Sequence, residues 1–325
     1  MLTAVQDAVL QLLPTRRRRS PSGWTSFNAV CCHHRGETAD TRGRGGLMTN
    51  PDGGFSYHCF NCNFKISYRP GWHLGYRFRR WLTWLGADDN LIQRLVIEAV
   101  RVKDLVGEVK EQPEAVKVTF RPRSLPDDVR LVDEDPVAVE YCRARAIDLD
   151  RYPLLASQRT DHNLNRRVII PFTWQGNLIG YTGRAWDPQV KPKYYSQYEP
   201  NYVYNMDQQQ PDSKFVIVTE GPFDAMSIDG VALLSNDCSE TQADILDTLN
   251  REIILVPDRD RAGTRLIDRA LEHGWTVSFP VWHETCKDVN EAVVRYGKLF
   301  VLKSVLDARE TGRLKIELKR KRLYI

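Results

Sequence analysis

Phe215-Val-Ile-Val-Thr-Glu220-Gly-Pro-Phe-Asp224 and Ile253-Ile-Leu-Val-Pro-Asp258-Arg-Asp260-Arg-Ala-Gly263 are the two stretches on which the fold turns. Each begins with a short apolar run and closes on acids. Runs of this length, bounded by Gly and Pro, fit strands buried on both faces. Two more such runs, Val231–Ser235 and Thr276–Val281, lie in the same region. Helical spacing falls between and after them, at Asp224–Ile228, Ala243–Leu249, Ala262–His273 and Val289–Tyr296. Alternating strand and helix predicts a Rossmann-like parallel sheet with helices on both faces, within a multi-domain α/β chain. In such sheets ligands bind beyond the carboxyl ends of the strands, where Glu220, Asp224, Asp258 and Asp260 would stand. Carboxylates crowded there repel one another unless they share a cation. Mg²⁺ favours carboxylate oxygens and suits phosphoryl and nucleotidyl transfer. The plainer alternative makes Asp258 and Asp260 capping acids of the helix that follows.

The acid-Gly-x-x-Asp after one strand and the Asp-x-Asp-x-Ala-Gly after a later one resemble the Toprim domain of primases, topoisomerases, some nucleases and recombination mediators. The resemblance covers residues 214–297. It implies a catalytic, metal-holding role for Glu220, Asp258 and Asp260 with Mg²⁺ or Mn²⁺, a supporting role for Asp224, and a further acid at Asp288.

Near the other end, Cys59-Phe-Asn-Cys62 is one half of a zinc ribbon, and Cys31-Cys-His-His34 supplies a possible Cys-x₂-His half. Two such knuckles satisfy tetrahedral zinc, one ion per chain. Cys31 with His34 has the regular spacing, while Cys32 and His33 stand as competitors. Phe55, Tyr57 and Phe60 either stack on bases of a single strand or pack the ribbon. The chain has seven cysteines, and an odd number with one tight cluster points to a metal in a reducing compartment rather than a disulfide framework.

Between these ends, apolar residues from Trp81 to Val96 recur at helical steps, and residues 111–128, with three prolines, read as a linker. Val168–Trp174, a turn at Gln175-Gly176-Asn177, and Leu178–Thr182 read as a hairpin. Around it, Arg166-Arg167-Val-Ile-Ile-Pro171, Ile179-Gly-Tyr-Thr-Gly183-Arg184 and Lys191-Pro-Lys193 resemble the basic subdomain of a primase core. There Arg166, Arg167, Arg184, Lys191 and Lys193 would meet nucleic acid or nucleoside triphosphate. The alternative is a solvated hairpin.

Taken in order, these parts resemble a bacterial- or bacteriophage-type DNA primase. The expected organisation is an N-terminal helix and zinc ribbon over 1–70, a helical segment and linker over 71–128, a basic mixed α+β subdomain over 129–211, a Toprim domain over 212–300 and a basic tail over 301–325. The resemblance implies a nucleotidyltransferase that makes short RNA primers de novo on single-stranded DNA during phage or cellular replication. Its partners would be the template, nucleoside triphosphates, the RNA product and a replicative helicase in the primosome. The rival is a zinc-containing Toprim recombination mediator, which binds DNA without catalysis, or a Toprim nuclease.

Charge agrees with this division of labour. The net charge is only +4, but residues 1–80 hold 12 Lys and Arg against 4 acids, and 301–325 hold 8 against 3. Basic ends around an acidic centre suit phosphate contact outside and metal inside. No GxxxxGK[ST] loop occurs, so no ATP-driven motor of that type is encoded, and no apolar run reaches the ~20 residues that span a bilayer. Residues 1–13 read as a short amphipathic helix rather than a transit peptide, given Asp7 and no cleavage-like site, and a cytoplasmic location is the expectation.

Overall fold

The computed structural model describes residues 3–35, 38–62, 64–106, 118–157, 163–249, 251–260 and 263–321. Residues 111–117 of the expected 111–128 linker, Ala262 and the last four residues lie outside them. The chain divides into two compact units, one made chiefly of residues 1–116 and one chiefly of 117–325.

The first unit opens with α1 (Ala4–Leu12) and continues as an antiparallel sheet of β1 (Arg17–Arg19), β2 (Thr25–Phe27), β3 (Gly45–Thr49), β4 (Phe55–Cys59) and β5 (Lys65–Tyr68), paired in that order. Alternation decides its faces: Phe55, Tyr57 and Cys59 point inward and Ser56 and His58 outward. Helices α2 (Tyr76–Trp84) and α3 (Asp89–Val106) join the same core, where Phe55, Tyr57, Tyr68 and Trp81 are buried. The helical segment therefore belongs to the ribbon's compact unit rather than to a separate module. Truncating a side chain as large as Trp81 there removes about 3–5 kcal/mol.

In the second unit, β6 (Val129–Leu131) leads through a 3₁₀ turn into α4 (Pro136–Ala144). Asp135 caps α4 by accepting from the Val137 and Ala138 N–H groups at 3.0 and 3.1 Å, with Pro136 in the first turn. Strands β7 (Leu155–Ser157), β8 (Arg167–Trp174), β9 (Asn177–Ala185) and β10 (Tyr194–Gln197) complete an antiparallel sheet in the order β10-β9-β8-β7-β6. The expected hairpin is β8–β9. Its turn is two residues, Gln175 and Gly176, both at positive φ (51° and 78°), so Asn177 already belongs to the strand.

The third sheet takes β11 (Phe215–Thr219), β12 (Val231–Ala232), β13 (Glu252–Leu255), β14 (Thr276–Ser278) and β15 (Arg309–Glu310), in the order β12-β11-β13-β14-β15. Helices α5 (Pro222–Ser227), α6 (Glu240–Asp247), α7 (Gly263–His273) and α8 (Val289–Tyr296) follow the strands at the expected places. Ile217, Ile254 and Val256 pack with Val289, Val293, Val301 and Val305, while Val216, Val218 and Leu255 on the other face are buried as well. Burial on both faces is why these runs lack polar alternation.

Two expectations change at the C-terminus. The sheet is mixed, because β15 pairs antiparallel with β14. Residues 301–325 are not a tail as far as they are described: α9 (Lys298–Asp307), β15 and α10 (Arg313–Arg320) continue the fold. Val301, Val305 and Ile316 are at most 1% exposed. Lys319 pairs with Glu310 at 2.7 Å and Arg320 with Asp268 at 2.5 Å. Charges surrounding three well-spaced apolar residues look like a solvated tail until the apolar face finds its partner.

Candidate metal centres and the cationic face beside one of them

The acidic centre follows from strand order. From β11 the chain moves to its neighbour β12, then returns past β11 to β13, so connections from β11 and β13 leave in opposite directions. Adjacent strand ends part there and leave a crevice. Glu220 follows β11 at that point, and Asp258 follows β13. Gly263 opens α7 so close to Asp258 that a Cβ on it would lie 2.4 Å from the Asp258 carbonyl oxygen. The Gly263 N–H donates to Asp260 Oδ1 at 3.0 Å, which holds Asp260 at the mouth of the crevice.

Asp224 and Asp288 complete the group. Asp224, on α5, is buried, and its Oδ1 accepts from the Asn290 N–H at 2.9 Å. Asp288 caps α8 through the Glu291 N–H at 2.8 Å. Asn290 ties the helices together: its amide donates to Ser227 Oγ at 2.7 Å and to the Arg145 carbonyl at 2.8 Å, and accepts from the Arg145 guanidinium at 2.8 Å.

Electrostatics mark this as a place that wants a cation. Burial, then the Asp260 charge, pushes Glu220 up to about 7. Burial and the neighbouring carboxylates raise Asp258, and burial and Asp288 raise Asp224. Glu220 Oε1 is buried with no hydrogen-bond partner. An acceptor oxygen withdrawn from water with nothing donating to it is disfavoured unless a cation or proton answers it. The oxygen-only donor set matches a hard divalent ion such as Mg²⁺ or Mn²⁺.

Near these acids is Lys193, an exposed residue that directly precedes β10. Burial and the charges of Arg184 and Arg145 lower the Lys193 pKa, while Asp288 and Asp224 oppose that shift, which puts Lys193 within the field of both. Arg184 lies 4.8 Å above the Tyr194 ring, and its Nε is buried without a partner. The other sequence-predicted basic residues are placed differently. Arg167 is 2% exposed, and its guanidinium donates to the carbonyls of Asn163, Gly183, Lys193 and Pro192. That is a structural brace, with its donors turned to the backbone rather than to a ligand. Arg166 pairs with Asp187 at 3.1 Å on the surface, and Lys191 is exposed. Arg145 and Asn290 were not singled out by the sequence. An Arg beside a helix end and an Asn after an acid have no distinctive spacing.

The cysteine centre lies in the first unit. The Sγ atoms of Cys31, Cys32, Cys59 and Cys62 all fall within 4.8 Å of one another, with Cys31–Cys62 at 3.4 Å and Cys32–Cys59 at 3.5 Å. Tetrahedral zinc with Zn–S of about 2.3 Å sets its sulfurs ~3.8 Å apart, so four thiols fit. Tyr57 OH and Asn61 Nδ2 each lie 3.4 Å from a sulfur, of Cys31 and Cys32 respectively. The expected Cys-x₂-His half is corrected: Cys32 takes the place given to His34. His34 is exposed, its ring stacked 4.9 Å from Trp84, because the chain turns into a short 3₁₀ helix at His33 and carries both imidazoles away from the sulfurs.

The aromatic residues also separate. Phe55 and Tyr57 are core, whereas Phe60 is 64% exposed. Phe60 stands beside His58 (4.3 Å) and Trp24 (6.3 Å) on the outward face of the sheet. A Cβ on Gly46 would meet the Trp24 ring at 3.0 Å and the Phe60 ring at 3.3 Å, so the two rings close over a glycine floor. Trp24 was not anticipated, because it precedes β2 and meets Phe60 only across the sheet.

Comparison with known proteins bears on these parts unequally. No curated protein matches the chain in sequence. Among solved structures, the Aquifex aeolicus primase (zinc-binding and RNA polymerase domains) is 15% identical, with a TM-score of 0.47 over 94% of this chain and 83% of that one. The E. coli primase catalytic core is 18% identical, with a TM-score of 0.43 over 54% and 75%. A DnaG primase catalytic domain bound to ssDNA is 19% identical, with a TM-score of 0.46 over 54% and 73%. A family model described as Toprim-like matches residues 217–293, a span containing Glu220, Asp224, Asp258, Asp260 and Asp288. Residues 217–293, both acid-bearing strand ends included, are thus similar to a Toprim-like domain.

Proposed function

We propose that this chain is a DNA primase, a nucleotidyltransferase that joins ribonucleotides de novo on a single-stranded DNA template. One observation carries the reading: the orphaned Glu220 oxygen stands with Asp224, Asp258, Asp260 and Asp288 at the parting of β11 and β13, with Lys193 in the field of Asp224 and Asp288 and Arg184 close to Lys193. Acids alone would suit any divalent-metal enzyme. Acids opposed by cations suit a reaction whose substrate is a polyphosphate, with negative charge to be matched on one side and metal to be held on the other. Glu220, Asp258 and Asp260 would hold Mg²⁺ or Mn²⁺, with Asp224 and Asp288 behind them. When bound, such ions polarise a primer 3′-hydroxyl and neutralise the departing pyrophosphate.

The protein's own residues supply position. Lys193 and Arg184 hold the triphosphate, Arg184 kept in place by the Tyr194 ring. Asn290 keeps Asp224 turned toward the crevice. Cys31, Cys32, Cys59 and Cys62 would hold one structural zinc, which fixes the sheet carrying Trp24, His58 and Phe60. Those rings offer faces on which template bases stack, a sequence-tolerant contact of about 1–3 kcal/mol per base.

The test is RNA synthesis on circular single-stranded DNA with nucleoside triphosphates and Mg²⁺. Asp258→Asn and Asp260→Asn should each lower product at least 100-fold while single-strand affinity stays within about twofold, since phosphate contact is assigned to the cations. Full synthesis by both variants would remove the reaction from this site. Cleavage of the template without synthesis by the unaltered protein would make it a nuclease, and binding without either reaction a mediator.

A further inference from the structure

Primer synthesis begins by joining two nucleotides, and they differ in what they need. The incoming nucleotide loses pyrophosphate and so needs metal. The initiating one supplies a 3′-hydroxyl and keeps its triphosphate intact, so guanidinium groups can match that charge without a metal ion. A second cleft fits the latter.

It opens between α4 and α8, has a volume of about 420 Å³, and is lined by Tyr141, Ala144 and Arg145 at the end of α4 and by Asn290, Val294 and Arg295 on α8. That volume falls within the range of small-molecule sites, roughly 300–1,000 Å³. Its lining includes an aromatic ring, with the Arg145 guanidinium 5.2 Å from the ring centre. The Tyr141 hydroxyl is buried and has no hydrogen-bond partner, so it is reached only if a ligand displaces the side chains that cover it. Asn290 takes one of Arg145's five N–H donors, and Arg295 donates to Thr285 Oγ1 at 3.3 Å. Glu291 also lines the cleft, but one of its oxygens already accepts from the Lys287 N–H at 2.8 Å. Apolar and aromatic side chains beside two guanidinium groups are the complement of a base with an anionic tail.

The position gives the cleft its use. Asn290, through its side chain, accepts from Arg145 in the cleft and, through its main chain, donates to Asp224 in the carboxylate group. A nucleotide seated here lies one residue's width from the proposed metal site. We propose that the α4–α8 cleft binds the initiating nucleoside triphosphate, its base against Tyr141 and Val294 and its phosphates on Arg145 and Arg295. The inference rests on the primase reading for the ligand's identity.

The experiment uses the full chain with its zinc, and ATP and GTP as probes at low salt. By equilibrium dialysis without added divalent cation, one nucleotide should bind per chain. Arg295→Ala and Val294→Trp, both at exposed positions, should each weaken it at least tenfold, and Asp258→Asn should leave it unchanged. In synthesis assays the same two variants should raise the KM of the initiating nucleotide about tenfold while extension of a supplied primer keeps its rate. No binding without divalent cation, or binding indifferent to both variants, overturns the cleft. Extension of a supplied primer reports the carboxylate site separately, so loss of the cleft with extension intact leaves the primase reading standing. Loss of extension with cleft binding intact does the reverse.

Discussion

Asp40 in the first unit and Glu220 in the second are both withdrawn carboxylates, and their surroundings are opposite. Asp40, 6% exposed, accepts from the N–H groups of Ala29, Arg42 and Arg44 at 2.8, 2.9 and 2.7 Å, and from Arg44 Nε at 3.1 Å. Burial pushes its pKa up, but those donors pull harder, and it ends below the usual carboxylate range. Glu220 has an oxygen with no donor at all, and burial with the Asp260 charge takes it to about 7. Saturation suits a carboxylate that holds a loop, and an unanswered oxygen suits one with a place for a cation. The two candidate metal centres differ in a related way. Four cysteines converge in a closed set beside the first knuckle, as structural zinc requires, while the acids surround a crevice with Asp260 exposed. Closed centres stabilise; open ones leave room for substrate.

The sharpest way to break this contrast is at the cysteines. Cys32→Ser should lose zinc as fully as Cys59→Ser, because each removes a quarter of a closed donor set, and the first unit should lose its near-ultraviolet signal with it. His34→Ala should keep about one zinc per chain. Elemental analysis of reduced protein decides, and retention by Cys32→Ser with loss by His34→Ala would restore the Cys-x₂-His register.

A second contrast lies between neighbours. Arg167→Ala strands four carbonyls and should lower unfolding stability by about 3 kcal/mol, read by denaturant titration. Arg166→Ala removes one exposed ion pair and should change it by less than about 0.5 kcal/mol. Equal effects would mean that Arg167 is not the brace its hydrogen bonds describe.

A smaller effect separates the carboxylates by pH. Glu220's folded pKa lies above its unfolded value, so the folded state holds more protons through the interval between them. Its contribution is favourable below about pH 4.5 and is lost as pH rises toward about 7. Without divalent cation, this should amount to about 2 kcal/mol after allowance for partial exposure, and Glu220→Gln should remove that share. Asp40 runs the other way: its low pKa gives stability that is present above the usual carboxylate pKa and lost in acid. Added Mn²⁺ should restore stability at pH 8 in the unaltered protein and do so less in Asp258→Asn. Thermal unfolding across about pH 2 to 8 measures all three.

Legibility followed the reach of the interactions. The strands ending at Glu220 and Asp258 were readable because both-sided burial leaves an unbroken apolar run and the acids follow at once. The β8–β9 hairpin was readable for the same local reason. Phe55 and Phe60 were not separable, since one lies inside the sheet and the other beyond its last inward residue. Arg166 and Arg167 look equivalent side by side, yet Arg166, at positive φ (54°) just before β8, stays on the surface, while Arg167 opens the strand and turns among carbonyls. Helix α10 was hidden because its three apolar residues, Leu314, Ile316 and Leu318, are set among charges.

By itself the sequence picked out the candidate residues: the acids after two apolar runs, the paired cysteines and the basic hairpin, each expressed within a dozen or so neighbours. Tertiary structure decided which of them meet. Strand order brought Glu220 beside Asp258, helix α8 brought Asn290 to Asp224 and Arg145, and the turn after Cys32 replaced a histidine with a thiol. The reason is that spacing along a chain encodes periodicity and caps, whereas the partner of a buried polar atom is chosen by whatever the packed core sets opposite it.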